Sequence, residues 1–283
     1  MIRHLLQLIW NQRKQNAWLW AELLLVSVFL WFLVDYLYVM GRTYTAPLGF
    51  DIRHTYSIVI SSLSERSPDY IPKEKRERPD GVHLLTALDR IRTYPGVESA
   101  CLTDGGMPYY MGSRNLVWRI DTLQVPCRYA FVTPEFFDVF RIYDKDGKTA
   151  SLKRAIEDNN SIVISADVET MNPGLSLLGQ KAYRGNVTDE IEETIRGISV
   201  PIRRHEYTKA EPNVYRALRL SRMEEGYYEG MIDAVRLCVR VRPDVDNADF
   251  PARFRKDMAE QLRLGNLYLL DVQPLSYIRD GYI

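Results

Sequence analysis

Residues 17–40, AWLWAELLLVSVFLWFLVDYLYVM, are almost wholly apolar and hold neither proline nor glycine. At about 1.5 Å per residue such a run makes a helix of roughly 36 Å, enough to cross a hydrocarbon core of about 30 Å with some tilt. The run therefore predicts a single membrane anchor near the start of the chain, with the remaining residues folding in water. Glu22 and Asp35 interrupt it and leave Leu23 to Val34 as the unbroken part. Each charge lies a turn or two inside an end, where snorkelling and local water lower its cost. Trp10, Trp18 and Trp20 stand at one end and Tyr36, Tyr38 and Tyr44 at the other, in the manner of interfacial aromatic belts. Two other readings stay open. One is a cleaved signal peptide, although no small-x-small site comes promptly after the run and Thr-Ala-Pro at 45–47 is a poor one. The other is a buried helix of a soluble fold.

The flanks set an orientation. Arg3, Arg13 and Lys14 precede the run, and Arg42 and Arg53 come after it. The positive-inside rule then predicts a cytoplasmic N-terminus and an external domain. Ile2, Leu5, Leu6 and Ile9 keep helical spacing, with Arg3, Gln7, Asn11 and Lys14 on the other face. Residues 1–15 are thus expected to form an amphipathic helix on the inner membrane surface, ahead of a transmembrane helix at 16–41.

Over the whole chain, 37 basic and 37 acidic residues balance to zero net charge, and no basic stripe points to nucleic acid. Cys101, Cys127 and Cys238 are far apart and odd in number, and no CxxC is present. A zinc site or disulfide framework is not expected, while one bridge stays open.

Pattern divides the chain beyond residue 41. An exit loop with Gly41, Pro47 and Gly49 leads to a strand at Tyr56–Ile60, and residues 61–81 read as a charged, solvated loop. Leu84, Leu85, Leu88 and Ile91 mark a helix over His83–Tyr94, stopped by Pro95-Gly96, with a strand at Val97–Thr103. The same grammar returns later. Val235, Leu237, Val239 and Val241 alternate with Arg236, Cys238, Arg240 and Arg242 in a strand. Phe250, Phe254, Met258 and Leu262 then predict a helix over Asn247–Leu264, with Pro251 in its first turn and Gly265-Asn266 as its stop, before a strand at Leu267–Val272. Two separated β-α-β units can pair into one split, ferredoxin-like layer. Between them, 115–225 is mainly strand: Leu116–Ile120, Arg128–Val132, Ser161–Ser165 and Ile195–Val200, with short helices at Pro134–Phe140 and Ala166–Asn172. The expected class is α+β.

Catalytic signatures do not emerge from the sequence. His4, His54, His83 and His205 are scattered, and no P-loop or GxGxxG is present. Gly174-Leu-Ser176-Leu-Leu-Gly179 is one residue too long for a nucleophile elbow and reads as a loop and turn. Asp189-Glu190 and Glu192-Glu193 lack EF-hand spacing and read as a solvated turn. Asn159-Asn160-Ser161 and Asn186-Val187-Thr188 match the glycosylation triplet, which is common by chance. Arg203-Arg204-His205 reads as an exposed corner. No residue is assigned a catalytic, cofactor-binding or metal-ligating role, and the chain is not read as an enzyme.

The order of elements resembles the FtsX/MacB superfamily of ABC-transporter permeases, in particular the MacB-like periplasmic core domain. The residues that carry this are the opening span with Glu22 and Asp35, Ala46-Pro-Leu-Gly-Phe-Asp51, Tyr94-Pro-Gly-Val97 and Val132-Thr-Pro-Glu-Phe-Phe-Asp-Val-Phe140. Ser161-Ile-Val-Ile-Ser165, Leu178-Gly-Gln-Lys181 and Ile195-Arg-Gly-Ile-Ser199 add to it. The resemblance implies a porter subdomain in two halves, 50–114 and 226–275, around a β-rich sabre insert at 115–225, with 276–283 leading toward a second span that this chain lacks. It also implies a periplasmic domain on the bacterial inner membrane, homo- or heterodimeric permease subunits, and a separate cytoplasmic ABC ATPase reached directly or through a companion permease. The domain would transmit ATP-driven motion, with no cofactor and no catalysis of its own. The alternative is a bitopic inner-membrane assembly protein of a secretion or pilus machine, a group that usually lacks so long a β-rich insert.

Overall fold

The computed structural model describes Arg3, Gln7, Trp10 and residues 17–110, 112, 114–185 and 190–282. The amphipathic helix expected at 1–15 and the triplet at 186–188 fall largely or wholly outside the described residues. The chain divides into two units, Met1–Ala46 and Pro47–Ile283.

The first unit contains α1, Ala17–Thr45, a helix of 29 residues with none of them buried. It is the one described helix long and apolar enough to cross a membrane. Its last turn carries a side-chain bond as well: the Thr45 hydroxyl donates to the Gly41 carbonyl at 3.0 Å and reaches the Arg42 carbonyl at 3.3 Å.

The second unit is a mixed α+β body with a β-rich core. β1 (Thr55–Ser62), α2 (Asp80–Arg92) and β2 (Val97–Asp104) form the first β-α-β unit. β9 (Val235–Val241), α7 (Phe250–Met258) and β10 (Leu267–Pro274) form the second. Their strands interleave in the order β10-β1-β9-β2, every neighbour antiparallel. Leu84, Leu88 and Ile91 of α2 and Phe250, Phe254 and Met258 of α7 are buried in one core with Tyr56, Ile58, Leu102, Leu237 and Val239. Three residues four apart on α7 make a single stripe, and each such side chain contributes about 1.5–3 kcal/mol on burial.

Two expectations change here. α7 stops at Met258, short of Leu264, because Leu264 is drawn into a bridge with Leu267 and Gly265 takes a left-handed φ of +56°. Leu262 still reaches the core from a turn. The stretch 61–81 is also more than a solvated loop. Lys73–Lys75 form a single 3-10 turn, and Arg76 pairs with Asp80 at 3.1 Å and Glu229 at 2.7 Å in a largely buried position.

The residues between the two β-α-β units supply β3 (Arg114–Ile120), β4 (Leu123–Val132), β5 (Ser161–Ser165), β6 (Lys181–Arg184), β7 (Ile191–Ser199) and β8 (Asn213–Ala217). They run β4-β3-β6-β7-β5-β8, and β8 pairs back onto β4 in parallel, which closes six strands into a barrel. Alternate residues fill it: Trp118 and Ile120, Val125 and Cys127, Ile162 and Ile164, with Ala182, Ile195 and Val214. The end of β4 also joins the first layer, with Thr103 opposite Val132 and Asp104 opposite Phe131. Short helices decorate the body: α3 (Phe136–Val139), α4 (Ala150–Ala155), α5 (Asp167–Met171), α6 (Leu220–Glu224) and α8 (Leu275–Tyr282).

Candidate functional site: a clamp on the segment after the apolar helix

Residues 47–54 come directly after α1 in the chain, and the body holds them at nearly every step. At Gly49 the backbone adopts a φ of +85°, and a Cβ there would stand 2.1 Å from the Pro201 carbonyl oxygen. Only glycine fits. On either side of it, the Leu48 carbonyl accepts the Arg203 amide at 2.9 Å, and the Asp51 amide donates to the Phe140 carbonyl at 2.8 Å. The His54 carbonyl accepts the Val241 amide at 2.9 Å.

Arg240 completes the clamp. It sits on β9, between β1 and β2, and is fully buried. Its guanidinium donates to the carbonyls of Asp51 at 2.6 Å, Arg53 at 2.7 Å and Val139 at 2.7 Å. One side chain thus ties the segment to the sheet and to the end of α3. Burial pushes its pKa down and Arg141 adds to this, while Asp51 opposes them. For Asp51, burial works to raise the pKa, but hydrogen bonds from Arg53 and the charges of Arg240 and Arg53 leave it below the usual carboxylate range.

The segment ends at a second polar knot. His54 holds a left-handed φ of +59°, and its Nδ1 lies 2.5 Å from Asp246 Oδ2. The Tyr56 hydroxyl donates to the other Asp246 oxygen, and its phenol is pushed up by burial and by that carboxylate. These groups line an open groove of about 500 Å³ together with Pro251, Ser276 and Arg279. Among the described residues no hydroxyl is hydrogen-bonded to His54, so the His-Asp pair lacks a nucleophile in contact. What it does here is fix a strained turn.

Helix α8 comes to the same neighbourhood. Leu275 and Ile278 pack into a core with Phe136, Phe137 and Phe140. Tyr109 stands between the two ends of the body. Its ring meets Phe50 edge-on at 5.8 Å and Tyr282 at 5.9 Å, and its hydroxyl donates to Glu206 at 2.8 Å. The segment after α1 and the helix after the last strand therefore share one aromatic post.

The other residues singled out by sequence fall elsewhere. His83 packs against Gly265, where a Cβ would approach its ring to 2.7 Å; burial holds its pKa low, against the pull of Asp80. Arg203 is buried and donates to the Thr208 and Glu206 carbonyls, so the corner at 203–205 is not simply exposed. Gly174 and Gly179 are both left-handed, in a loop and turn. Glu192 and Glu193 belong to β7 rather than to a solvated turn, and Glu193 is buried against Arg216 and Arg184. Among the described residues no group of three or more His, Cys, Asp or Glu is placed to hold a metal ion. All three cysteines are free and buried. Cys101 and Cys238 face each other across β2 and β9. Burial and the neighbouring thiol push Cys101 up, and burial alone pushes Cys127 up to about 12.

No family model matches the chain, and no curated protein matches it. Solved structures do. A domain assigned to a permease protein from Porphyromonas gingivalis aligns at 19% identity and a TM-score of 0.45, over 66% of this chain and 76% of its own length. The periplasmic region of MacB from Actinobacillus actinomycetemcomitans aligns at 9% identity and a TM-score of 0.46, over 85% and 97%. The extracellular domain of the noncanonic ABC-type transporter YknZ from Gram-positive bacteria aligns at 12% identity and a TM-score of 0.43, over 76% and 100%.

Proposed function

We propose that this chain is the membrane-anchored external portion of an ABC-type permease of the FtsX/MacB kind, and that it transmits motion rather than catalysing a reaction. The observation that carries this reading is the clamp. A displacement of residues 47–54 is delivered to β9 through Arg240, to α3 through Asp51 and to the loop before β8 through Leu48. A loosely tethered domain would need none of these bonds. The shared contact of Phe50 and Tyr282 with Tyr109 suits a domain whose two ends face one surface.

In this reading α1 is the anchor in the bacterial inner membrane, with the N-terminus in the cytoplasm and the body in the periplasm. The layer β10-β1-β9-β2 with α2 and α7 has the strand order of a split, ferredoxin-like fold and is the porter part, in two halves at 50–114 and 226–275. The six-stranded barrel, from Arg114 to Ala217, is the sabre part expected at 115–225. Energy comes from a separate cytoplasmic ABC ATPase, bound directly or through a companion permease, with homo- or heterodimers of permease subunits as the working state. Co-purification of the tagged full chain from native membranes tests this. The expected result is recovery of an ATPase or a multi-span permease, with no ATP hydrolysis by the chain alone. Recovery of secretin or pilin components only, or hydrolysis by the purified chain, would overturn it.

A further inference from the structure

A chain with no net charge concentrates positive charge in one place. A pocket of about 220 Å³ opens where the barrel meets the end of β2, and five arginines line it: Arg114, Arg184, Arg216, Arg219 and Arg222. Among the described lining residues only Asp104 is acidic, and Glu193 stands behind two of the arginines. The carboxylates are already committed. Asp104 is buried and pairs with Arg114 at 2.9 Å. Glu193 is buried and takes Arg216 at 2.5 Å and Arg184 at 3.3 Å. Arg219 reaches the Asn159 carbonyl at 3.3 Å, and Arg222 lies 5.1 Å over the Tyr227 ring. Neither has a carboxylate partner among the described residues.

Five guanidiniums around two neutralising groups repel one another in a partly dry site. At Arg216 burial lowers the pKa, Glu193 opposes, and Arg184 and Arg219 push it further down. An anion entering the pocket relieves that repulsion. Guanidinium forks match tetrahedral oxyanions with paired N–H donors, and several arginines suit a doubly charged group better than a single carboxylate. The rest of the wall is aromatic, Tyr129, Phe131, Tyr227 and Tyr228, which leaves room and surface for the organic part of an ester.

We propose that this pocket binds a phosphate group, carried either by a small phosphomonoester or by a lipid headgroup. The assignment rests on charge and geometry within the body and stands apart from the transporter reading.

Calorimetry on the full chain in phosphatidylcholine nanodiscs provides the test. Glycerol 3-phosphate is the soluble probe, and nanodiscs containing phosphatidic acid are the lipid arm. The variant is Arg219→Gln with Arg222→Gln, because these two side chains carry no ion pair among the described residues and their loss should not lower the melting temperature. Binding in at least one arm, weakening with added salt and falling by about tenfold or more for each arginine removed, is expected. Heat from the soluble ester identifies a small-molecule source; a response to phosphatidic acid alone identifies the lipid. No binding in either arm, equal binding of acetate, or wild-type affinity in the double variant would overturn the proposal.

Discussion

Replacing Arg240 by methionine isolates the clamp, since it keeps the bulk of the side chain and removes only the guanidinium. Three backbone carbonyls, those of Asp51, Arg53 and Val139, then lose their donor. An unmet buried group costs about 1–3 kcal/mol, so the gross loss is roughly 3–9 kcal/mol. Relief from burying a cation returns several kcal/mol. The net is about 3 kcal/mol of destabilisation. For a body of this size each kcal/mol moves Tm by about 2–4 °C, which gives a fall of about 6–12 °C. Differential scanning fluorimetry of the detergent-solubilised full chain reads this directly. Hydrogen exchange supplies the local signature: the Asp51 and Val241 amides, bonded to Phe140 and His54, should lose protection before the α7 core does. Arg53→Gln is the control, because its side chain is 76% exposed, and it should leave Tm where it was. A variant Arg240→Met that melts within about 2 °C of wild type, or that keeps protection at Asp51, would show that the clamp carries no load.

Four further outcomes are expected. Gly49→Ala forces a left-handed alanine against the Pro201 carbonyl and should destabilise by about 2–4 kcal/mol, read as a lowered denaturation midpoint. Phe254→Asp buries an unpaired charge in the first core and should cost several kcal/mol; wild-type unfolding would remove Phe254 from that core. Cys101, Cys127 and Cys238 should react with a thiol reagent only on unfolding, and stoichiometric labelling of the native chain would contradict their burial. Asp51 has a lowered folded pKa, so its contribution is complete above the unfolded carboxylate value of about 4 and is lost as pH falls through the folded value. Asp51→Asn should therefore flatten the acid limb of a stability-against-pH curve, and an unchanged limb would refute the assignment.

Periodicity carries the first layer well. Leu84, Leu88 and Ile91 on α2 and Phe250, Phe254 and Met258 on α7 repeat at helical spacing because each helix has a single covered face. The clamp is not readable in the same way. In β9, alternation gives Val235, Leu237, Val239 and Val241 one apolar face and suggests water on the other, yet Cys238 and Arg240 are fully buried. That second face is covered by residues 50–54 and α3, which lie roughly 100 to 190 positions earlier, and the pattern within a strand holds no record of them. β6 and β8 escape for a related reason. Lys181–Arg184 is four residues long, and Asn213–Ala217 owes its strand state to partners on β4 and β5 far back in the chain. His54 and Asp246 are 192 residues apart, and only the pairing of β1 with β9 brings them together.

Strand β4 belongs to both the layer and the barrel, and this limits how the body can bend. Its junction with β2 is two residue pairs long, Thr103 with Val132 and Asp104 with Phe131. Thr133 reinforces it by exchanging bonds with Leu102 in both directions, and the Thr103 hydroxyl donates to the Phe131 carbonyl. The barrel cannot rotate away from the layer as a free lobe, because that motion would tear a continuous ladder. Yet two pairs are few, and they form the narrowest strip of sheet between the two parts. A hinge within the sheet itself would have to work at residues 102–104 and 131–133. Small angular changes are allowed there, and wide swings require the ladder to open.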